Sequence, residues 1–203
     1  MKLYSVFVAM AFFTVLSPGP GVIMTLSNAL RYNKLATFSG ILGIATGAFI
    51  VASISATSLG IVLATSALAF SIMKYLGAGY LLYLSWRLWR APGFQFTSQA
   101  STTANPGKRF IEGASLQLTN PKAIFFFLSI FPQFIDIQHD YLPQFLKLVL
   151  TYAALVVLVH CVYAAFAKSA RHWLSSARGG AIMNKGAAVC FAFFGVALAS
   201  AKR

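Results

Sequence analysis

Residues 3–30 read LYSVFVAMAFFTVLSPGPGVIMTLSNAL and contain no charged side chain. An α-helix rises about 1.5 Å per residue, so about 20 apolar residues cross the ~30 Å hydrocarbon core of a bilayer. The apolar part is not followed by the small-x-small cleavage site of a signal peptide, but by Ser17-Pro18-Gly19-Pro20 and more apolar sequence. The stretch therefore predicts a first membrane helix that a proline motif interrupts.

Further apolar segments of similar length follow along the chain. They are residues 36–62, 67–89, 110–135, 143–167 and 181–200. Charged residues make up only 9% of the sequence, whereas a soluble domain carries roughly 25% because its surface faces water. These runs are also far longer than the ~10-residue strands of membrane barrels. The sequence predicts an all-α integral membrane protein with six transmembrane helices.

The formal net charge of +13 has a simple interpretation in such a protein. The basic residues lie mainly at the ends of the apolar runs, which indicates membrane topology and not a nucleic-acid surface. Arg31 and Lys34, the polar linker 91–109, and the connection from Lys168 to Lys185 then share the cytoplasmic side. Both termini are expected on the opposite side.

The linker divides the chain into two halves of three helices within one membrane domain, 1–203. Repeat one spans residues 1–90 and repeat two spans residues 110–203. An odd number of spans reverses the second half, so the repeats would be inverted, as in many secondary transporters. Ser17-Pro18 and Asn120-Pro121 occupy equivalent places in the two halves and predict breaks in helices one and four.

A helix that restarts after a proline break presents free N–H groups and a positive dipole end. Such an end can bind an anion such as a substrate carboxylate. Packed helices that are merely kinked by proline are the alternative. The paired motifs favour a binding site with the following candidate substrate-binding residues: Ser17, Pro18, Gly19, Pro20, Gly21, Gln117, Asn120, Pro121 and Lys122.

Three ionisable residues within the predicted spans are candidates for proton coupling. Glu112 could instead form an interfacial ion pair with Lys108 or Arg109, and His160 could be a neutral packing residue. Lys74 could extend its ammonium to the membrane surface. These alternatives stay open from the sequence.

The sequence lacks the signature residues of several functional classes. There is no phosphate-binding G-x-x-x-x-G-K-[ST] motif, no metal-ligand cluster and no catalytic constellation. We therefore expect no enzyme activity, cofactor or metal. Cys161 and Cys190 lie far apart in apolar runs and are expected to be free thiols. Gly40, Gly43 and Gly47 share one side of the second span and indicate close helix packing, or smooth faces along which the halves slide.

Three stretches resemble the LysE/RhtB family of amino-acid exporters. They are Ser17-Pro18-Gly19-Pro20 followed by the glycines of the second span, residues 74–84 (KYLGAGYLLYL), and Asn120-Pro121-Lys122 with the later Phe125-Phe126-Phe127 and Pro132-Gln133-Phe134. The resemblance covers nearly the whole chain. It implies a six-helix protein of the bacterial inner membrane that exports amino acids or close relatives by proton exchange.

The substrate class follows from charge. Helices one to three contain no Asp or Glu to balance the side chain of a cationic amino acid. We expect a neutral substrate, such as homoserine, threonine, leucine or a cysteine-like compound. A carrier of another small metabolite or metal ion, and a thiol-redox membrane protein, are the alternatives. The expected partners are substrate and lipid, not nucleic acid, and the sequence leaves a homo-oligomer open.

Overall fold

The computed structural model describes residues 4–65, 67–91, 105–136 and 138–200, and every regular element within these ranges is a helix. In chain order they are α1 (Tyr4–Leu16), α2 (Pro20–Arg31), α3 (Lys34–Thr65), α4 (Ala67–Arg90), α5 (Pro106–Leu118), α6 (Pro121–Phe125), α7 (Tyr141–Ala165), α8 (Ala167–Ser175) and α9 (Ala177–Ser200). A π-helical turn, Phe126–Ile130, and a 3-10 turn, Phe131–Phe134, continue α6. The predicted all-helical class is confirmed. Most of the predicted linker, residues 92–104, lies outside the described residues.

Among the described residues, three helices are long and apolar enough to cross a membrane. They are Lys34–Ser55 within α3, Tyr141–Ala165 and Ala177–Ser200. The α1–α2 pair is a fourth candidate if its two helices form one bent span, because their axes differ by 55°. The arrangement of six spans stays a prediction.

The interruption between α1 and α2 follows from the Pro18-Gly19-Pro20 sequence. A residue that precedes proline is disfavoured in the helical region. Gly19 accordingly has extended backbone (φ −162°, ψ −172°), and α2 begins at Pro20. Gly19, and not the Ser17 that precedes the first proline, is thus the N-cap of α2, and it caps without a side-chain hydrogen bond. The Ser17 hydroxyl is buried without a hydrogen-bond partner.

The interruption between α5 and α6 is built differently. α5 ends at Leu118, and Asn120 caps α6 by accepting a hydrogen bond from the Lys122 backbone N–H at 3.1 Å. Asn105 caps the start of α5 in the same way, with Lys108 N–H as donor at 3.1 Å. α5 therefore begins at Pro106, within the predicted linker.

Glycines bring α3 and α5 into backbone contact. A Cβ atom on Gly43 would overlap the carbonyl oxygen of Phe110, and one on Gly113 would overlap that of Gly40. A Cβ on Gly47 would lie 2.7 Å from the Ala114 carbonyl oxygen. The close-packing interpretation of these glycines is confirmed, and the contact joins the two predicted halves.

An aromatic cluster fixes α1 against the turns that follow α6. The Phe7 ring lies 6.1 Å from Phe126, 6.1 Å from Phe131 and 5.3 Å from Phe134, measured between centroids. Tyr152 of α7 stacks obliquely on Phe126 at 5.0 Å. These rings are mostly buried, and aromatic pairs of this geometry stabilise beyond their area burial. The cluster holds α1, the turns after α6 and α7 around a common centre.

Candidate functional site

The Lys122 side chain connects the two interruptions. Its Nζ donates a hydrogen bond to the backbone carbonyl oxygen of Ser17 at 2.9 Å. A Cβ atom on Gly19 would lie 3.2 Å from the same Nζ, so glycine leaves space for the ammonium beside the extended backbone. The chain thereby places a cation from α6 against the gap between α1 and α2.

A small cavity of about 20 Å³ lies at this junction, with room for about one water molecule. Its walls come from α1, α2, α3, α5, α6 and α7. The lining residues are Thr14, Val15, Gly19, Gly21, Val22, Ile44, Gln117, Asn120, Lys122, Tyr152, Val156 and His160.

The cavity presents positive charge and hydrogen-bond donors. Lys122 supplies an ammonium, and no Asp or Glu lines the walls. The first hydrogen bond of the α2 ladder runs from the Ile23 N–H to the Gly19 carbonyl. The N–H groups of Gly21 and Val22 therefore lie outside the ladder, at the positive end of the α2 dipole. This environment suits a small anionic group such as a carboxylate.

Two buried amides close one side of the cavity. The Asn120 Nδ2 donates to the Gln117 Oε1 at 3.2 Å, while the Asn120 Oδ1 caps α6. Asn120 is 6% exposed and Gln117 is 4% exposed. Because both ends of the Asn120 amide are engaged, its orientation is fixed relative to the backbone that begins α6.

His160 lines the cavity from α7. Its Nδ1 lies 2.7 Å from the Thr25 hydroxyl oxygen of α2, and the ring is buried. A Cβ atom on Gly21 would lie 3.2 Å from the His160 Cε1, so the imidazole sits directly on the first turn of α2. The pair ties α7 to the helix whose N-terminus lines the cavity.

The structure brings several predicted site residues together and leaves others apart. Gly19, Gly21, Gln117, Asn120 and Lys122 line the cavity together with His160. Ser17 takes part through its carbonyl, whereas Pro18, Pro20 and Pro121 shape the turns without lining the cavity.

The other two proton-coupling candidates do not line the cavity. Glu112 forms a two-pronged ion pair with Arg109, with both N–O distances 2.7 Å. Arg109 also contacts Tyr32, which follows α2. The Lys74 Nζ lies 4.7 Å from the centre of the Tyr75 ring, on α4.

Sequence reasoning missed part of the lining. Tyr152, Val156 and His160 recur at four-residue intervals and form one face of α7, a spacing that could have extended the site from His160. Thr25, the partner of His160, carries no such signal. Within the described residues no group of three or more His, Cys, Asp or Glu could hold a metal ion, and Cys161 and Cys190 are free.

A larger opening lies further along the same pair of helices. It has a volume of about 310 Å³ and is lined by Ala29, Leu30, Ala164, Ala165, Phe166, Ala167 and Ser169. Ala29 is one helical turn beyond Thr25, and Ala164 is one turn beyond His160. The Thr25–His160 pair therefore lies between the opening and the small cavity.

Comparison with known proteins gives the family. A model for the LysE type translocator matches residues 12–202. A homoserine/homoserine lactone efflux protein of Salmonella typhimurium is 34% identical over 92% of this chain and 91% of its own length. A leucine efflux protein of Klebsiella pneumoniae is 30% identical over 66% of this chain and 64% of its own length. No solved structure matches the chain significantly.

An uncharacterized membrane protein of Vibrio cholerae is 33% identical, again over 92% of this chain and 91% of its own length. Such relatives agree with the long apolar helices of a multi-pass membrane protein. Because the family model extends over nearly the whole sequence, this chain belongs to the LysE type translocator family.

Proposed function

We propose that this protein exports neutral amino acids across the bacterial inner membrane in exchange for protons. Homoserine, threonine, leucine and cysteine-like compounds are the substrates that we expect. The names of the homoserine and leucine efflux relatives support amino-acid export.

The observation that carries the proposal is the position of the Lys122 ammonium. It projects into a buried cavity beside the N–H groups that begin α2, and its acceptor is a backbone carbonyl, that of Ser17. A substrate carboxylate is a stronger partner for an ammonium than a neutral carbonyl. In the transport cycle the carboxylate would replace the Ser17 carbonyl and bind Lys122 together with the α2 N-terminus.

The charge of the lining supports a neutral amino acid over a cationic one. Lys122 balances the α-carboxylate, and the lining offers no Asp or Glu to balance a second positive charge on a side chain. The carbonyl of Ser17, released from Lys122, would be free to accept from the substrate α-ammonium. Val15, Val22, Ile44 and Val156 supply apolar surface for an aliphatic side chain.

The architecture that we propose has six spans in two inverted repeats, 1–90 and 110–203. The α1–α2 pair and the helices from α5 through the turns after α6 would be the interrupted first and fourth spans. Arg31, Arg87 and Arg90 favour a cytoplasmic location for the linker side under the positive-inside rule.

The cavity must expand during transport, because ligand sites usually have ~300–1,000 Å³ and this one has about 20 Å³. We assign the larger opening near Ala29 and Ala164 as the vestibule through which substrate approaches. The Thr25–His160 contact would separate before substrate enters, and His160 is then the cavity residue best placed to exchange a proton.

Efflux from proteoliposomes loaded with labelled amino acids tests the proposal. We expect release of homoserine, threonine or leucine, no release of lysine or arginine, and slower release when the pH gradient is collapsed. Export of lysine or arginine without a neutral substrate would refute the assignment of a neutral substrate. Export that is unaffected by the pH gradient would refute proton exchange.

A further inference from the structure

Aromatic and cationic side chains gather where the end of α4 meets the first half of α9. We name them the cation–tryptophan cluster, and its members are Tyr83, Trp86, Arg87, Trp89, Arg90 and Lys185. Trp86 and Trp89 are each 54% exposed, although tryptophan is usually much more buried. The three cations are exposed as well.

Each cation of the cluster lies over an aromatic ring. The Arg90 Cζ is 4.9 Å from the centre of the Trp86 ring, and the Lys185 Nζ is 5.5 Å from that of Trp89. The second contact crosses from α9 to α4. Near it, the Asn184 Nδ2 donates to the Ala91 carbonyl at 3.4 Å. The cluster is therefore built by two helices that are held together.

No acidic side chain among the described residues pairs with this cluster. The chain has three acidic side chains in total. Glu112 is engaged with Arg109, and Asp136 with His139. Across the described residues, Arg87, Arg90 and Lys185 take part in no ion pair. A cation over an aromatic ring can still bind an anion on its open side, because the ring supplies no formal charge.

Apolar surface adjoins the cations on the same two helices. Leu82 of α4 is 42% exposed, and Ile182 and Val189 of α9 are 54% and 58% exposed. Such side chains suit the hydrocarbon region, while tryptophan rings settle at the headgroup level. A ligand that satisfies the whole cluster thus combines a phosphate group with an acyl chain.

We propose that the cation–tryptophan cluster binds the headgroup of an anionic phospholipid. Arg90 and Lys185 contact the phosphate region, Trp86 and Trp89 lie beside the glycerol backbone, and the neighbouring aliphatic side chains contact the acyl chains. Each basic residue near an anionic membrane surface raises the binding constant of the protein for that surface by about fivefold. This inference is independent of the transported substrate.

Tryptophan fluorescence provides a direct test, because the chain has three tryptophans and Trp173 is the one outside the cluster. The full-length Trp173→Phe protein is reconstituted with brominated phosphatidylglycerol or brominated phosphatidylcholine. The relative binding constant of the two lipids is then taken from quenching of Trp86 and Trp89. We expect a preference for phosphatidylglycerol that is removed when Arg90→Gln and Lys185→Gln are combined.

The matched control is Lys34→Gln combined with Lys108→Gln, two exposed cations outside the cluster. It changes net charge equally and is expected to keep the preference. The proposal is overturned if the two lipids quench equally in the Trp173→Phe protein, or if both double variants lose the preference to the same extent. It is also overturned if millimolar inorganic phosphate displaces the lipid effect, since the site would then be one for free anions.

Discussion

The Lys122 ammonium donates to the Ser17 carbonyl across 2.9 Å, which joins residues that are far apart in the chain. Ser17 lies where α1 has ended and α2 has not begun, so its carbonyl is available to a side chain from elsewhere. The two interruptions are therefore one structural unit. Any movement that separates them exposes both the ammonium and the start of α2.

Replacing Lys122 tests whether its ammonium serves transport or folding. We expect Lys122→Met to lower export about tenfold or more, since hydrogen bonds to charged groups contribute roughly 1.5–3 kcal/mol. The thermal midpoint should fall only modestly, because removal of a partly buried charge offsets part of the cost, about 1–3 kcal/mol, of leaving the buried Ser17 carbonyl without its donor. Efflux from proteoliposomes and thermal unfolding in detergent measure the two effects.

Lys108→Gln is the control for Lys122→Met, because Lys108 is exposed near the start of α5. Lys108→Gln should leave both the export rate and the thermal midpoint unchanged. A large fall in the midpoint of Lys122→Met with normal export would assign Lys122 to folding and contradict the proposed substrate site.

The two asparagine caps offer a matched comparison. Asn120 caps α6 at the cavity, whereas Asn105 caps α5 at the exposed end of the same half. Removing an asparagine cap costs about 0.5–2 kcal/mol, so Asn120→Ala and Asn105→Ala should both lower the free energy of unfolding, and Asn120→Ala more so because it leaves the buried Gln117 amide without its partner. Only Asn120→Ala should reduce export, because it also loses the contact with Gln117. Equal export by the two variants would argue against a role for Asn120 in the site.

The helical class could be predicted from the sequence, because the length and apolar character of a run of residues are local properties. Asn120-Pro121 works as its local pattern suggests, with an asparagine cap and proline in the first turn. Ser17-Pro18 does not, because the second proline, Pro20, keeps Gly19 extended and moves the helix start.

The rest of the site depends on contacts between distant residues. Lys122 was recognisable as a candidate from the sequence, but its carbonyl partner was not. Thr25 is an ordinary residue of a helix until folding places it beside His160. Glu112 and Lys74 are charged residues in predicted spans, yet neither lines the cavity, and each contacts a residue of its own helix.

The Thr25–His160 contact should control access to the cavity. Thr25→Val leaves a buried imidazole nitrogen without its hydroxyl partner, which costs about 1–3 kcal/mol of stability. We expect this variant to unfold at lower temperature and to export with weaker dependence on the pH gradient. Thr25→Ser keeps the hydroxyl and should behave like the unaltered protein. Efflux that retains its full pH dependence in Thr25→Val would contradict the coupling role of His160.

The backbone contact between α3 and α5 can be tested by adding one methyl group. In Gly43→Ala the new Cβ overlaps the Phe110 carbonyl oxygen, and overpacking of this kind costs about 1–3 kcal/mol or more. Gly79→Ala adds the same atom on α4 with nothing within 4 Å, and should stabilise by about 0.5–1 kcal/mol. Thermal unfolding of the two variants should therefore shift in opposite directions. A stable, fully active Gly43→Ala protein would show that the helices are further apart than the structure indicates.

Asp136, in the connection before α7, gives a pH dependence whose sign can be derived. The Gln138 backbone N–H donates to its Oδ1 at 3.0 Å and, with His139 nearby, holds the pKa of Asp136 below its usual range. A carboxylate with a lowered folded-state pKa stabilises the protein above its unfolded-state pKa of about 4, and this contribution disappears as pH falls through the folded-state value. Asp136→Asn should therefore lower the thermal midpoint slightly at pH 7, and the difference should vanish in acid.

Asp140→Asn is the control, because Asp140 precedes α7 without a capping hydrogen bond from its side chain. A difference between Asp136→Asn and the unaltered protein that persists or grows at a pH below the folded-state pKa of Asp136 would show that the carboxylate charge is not its source.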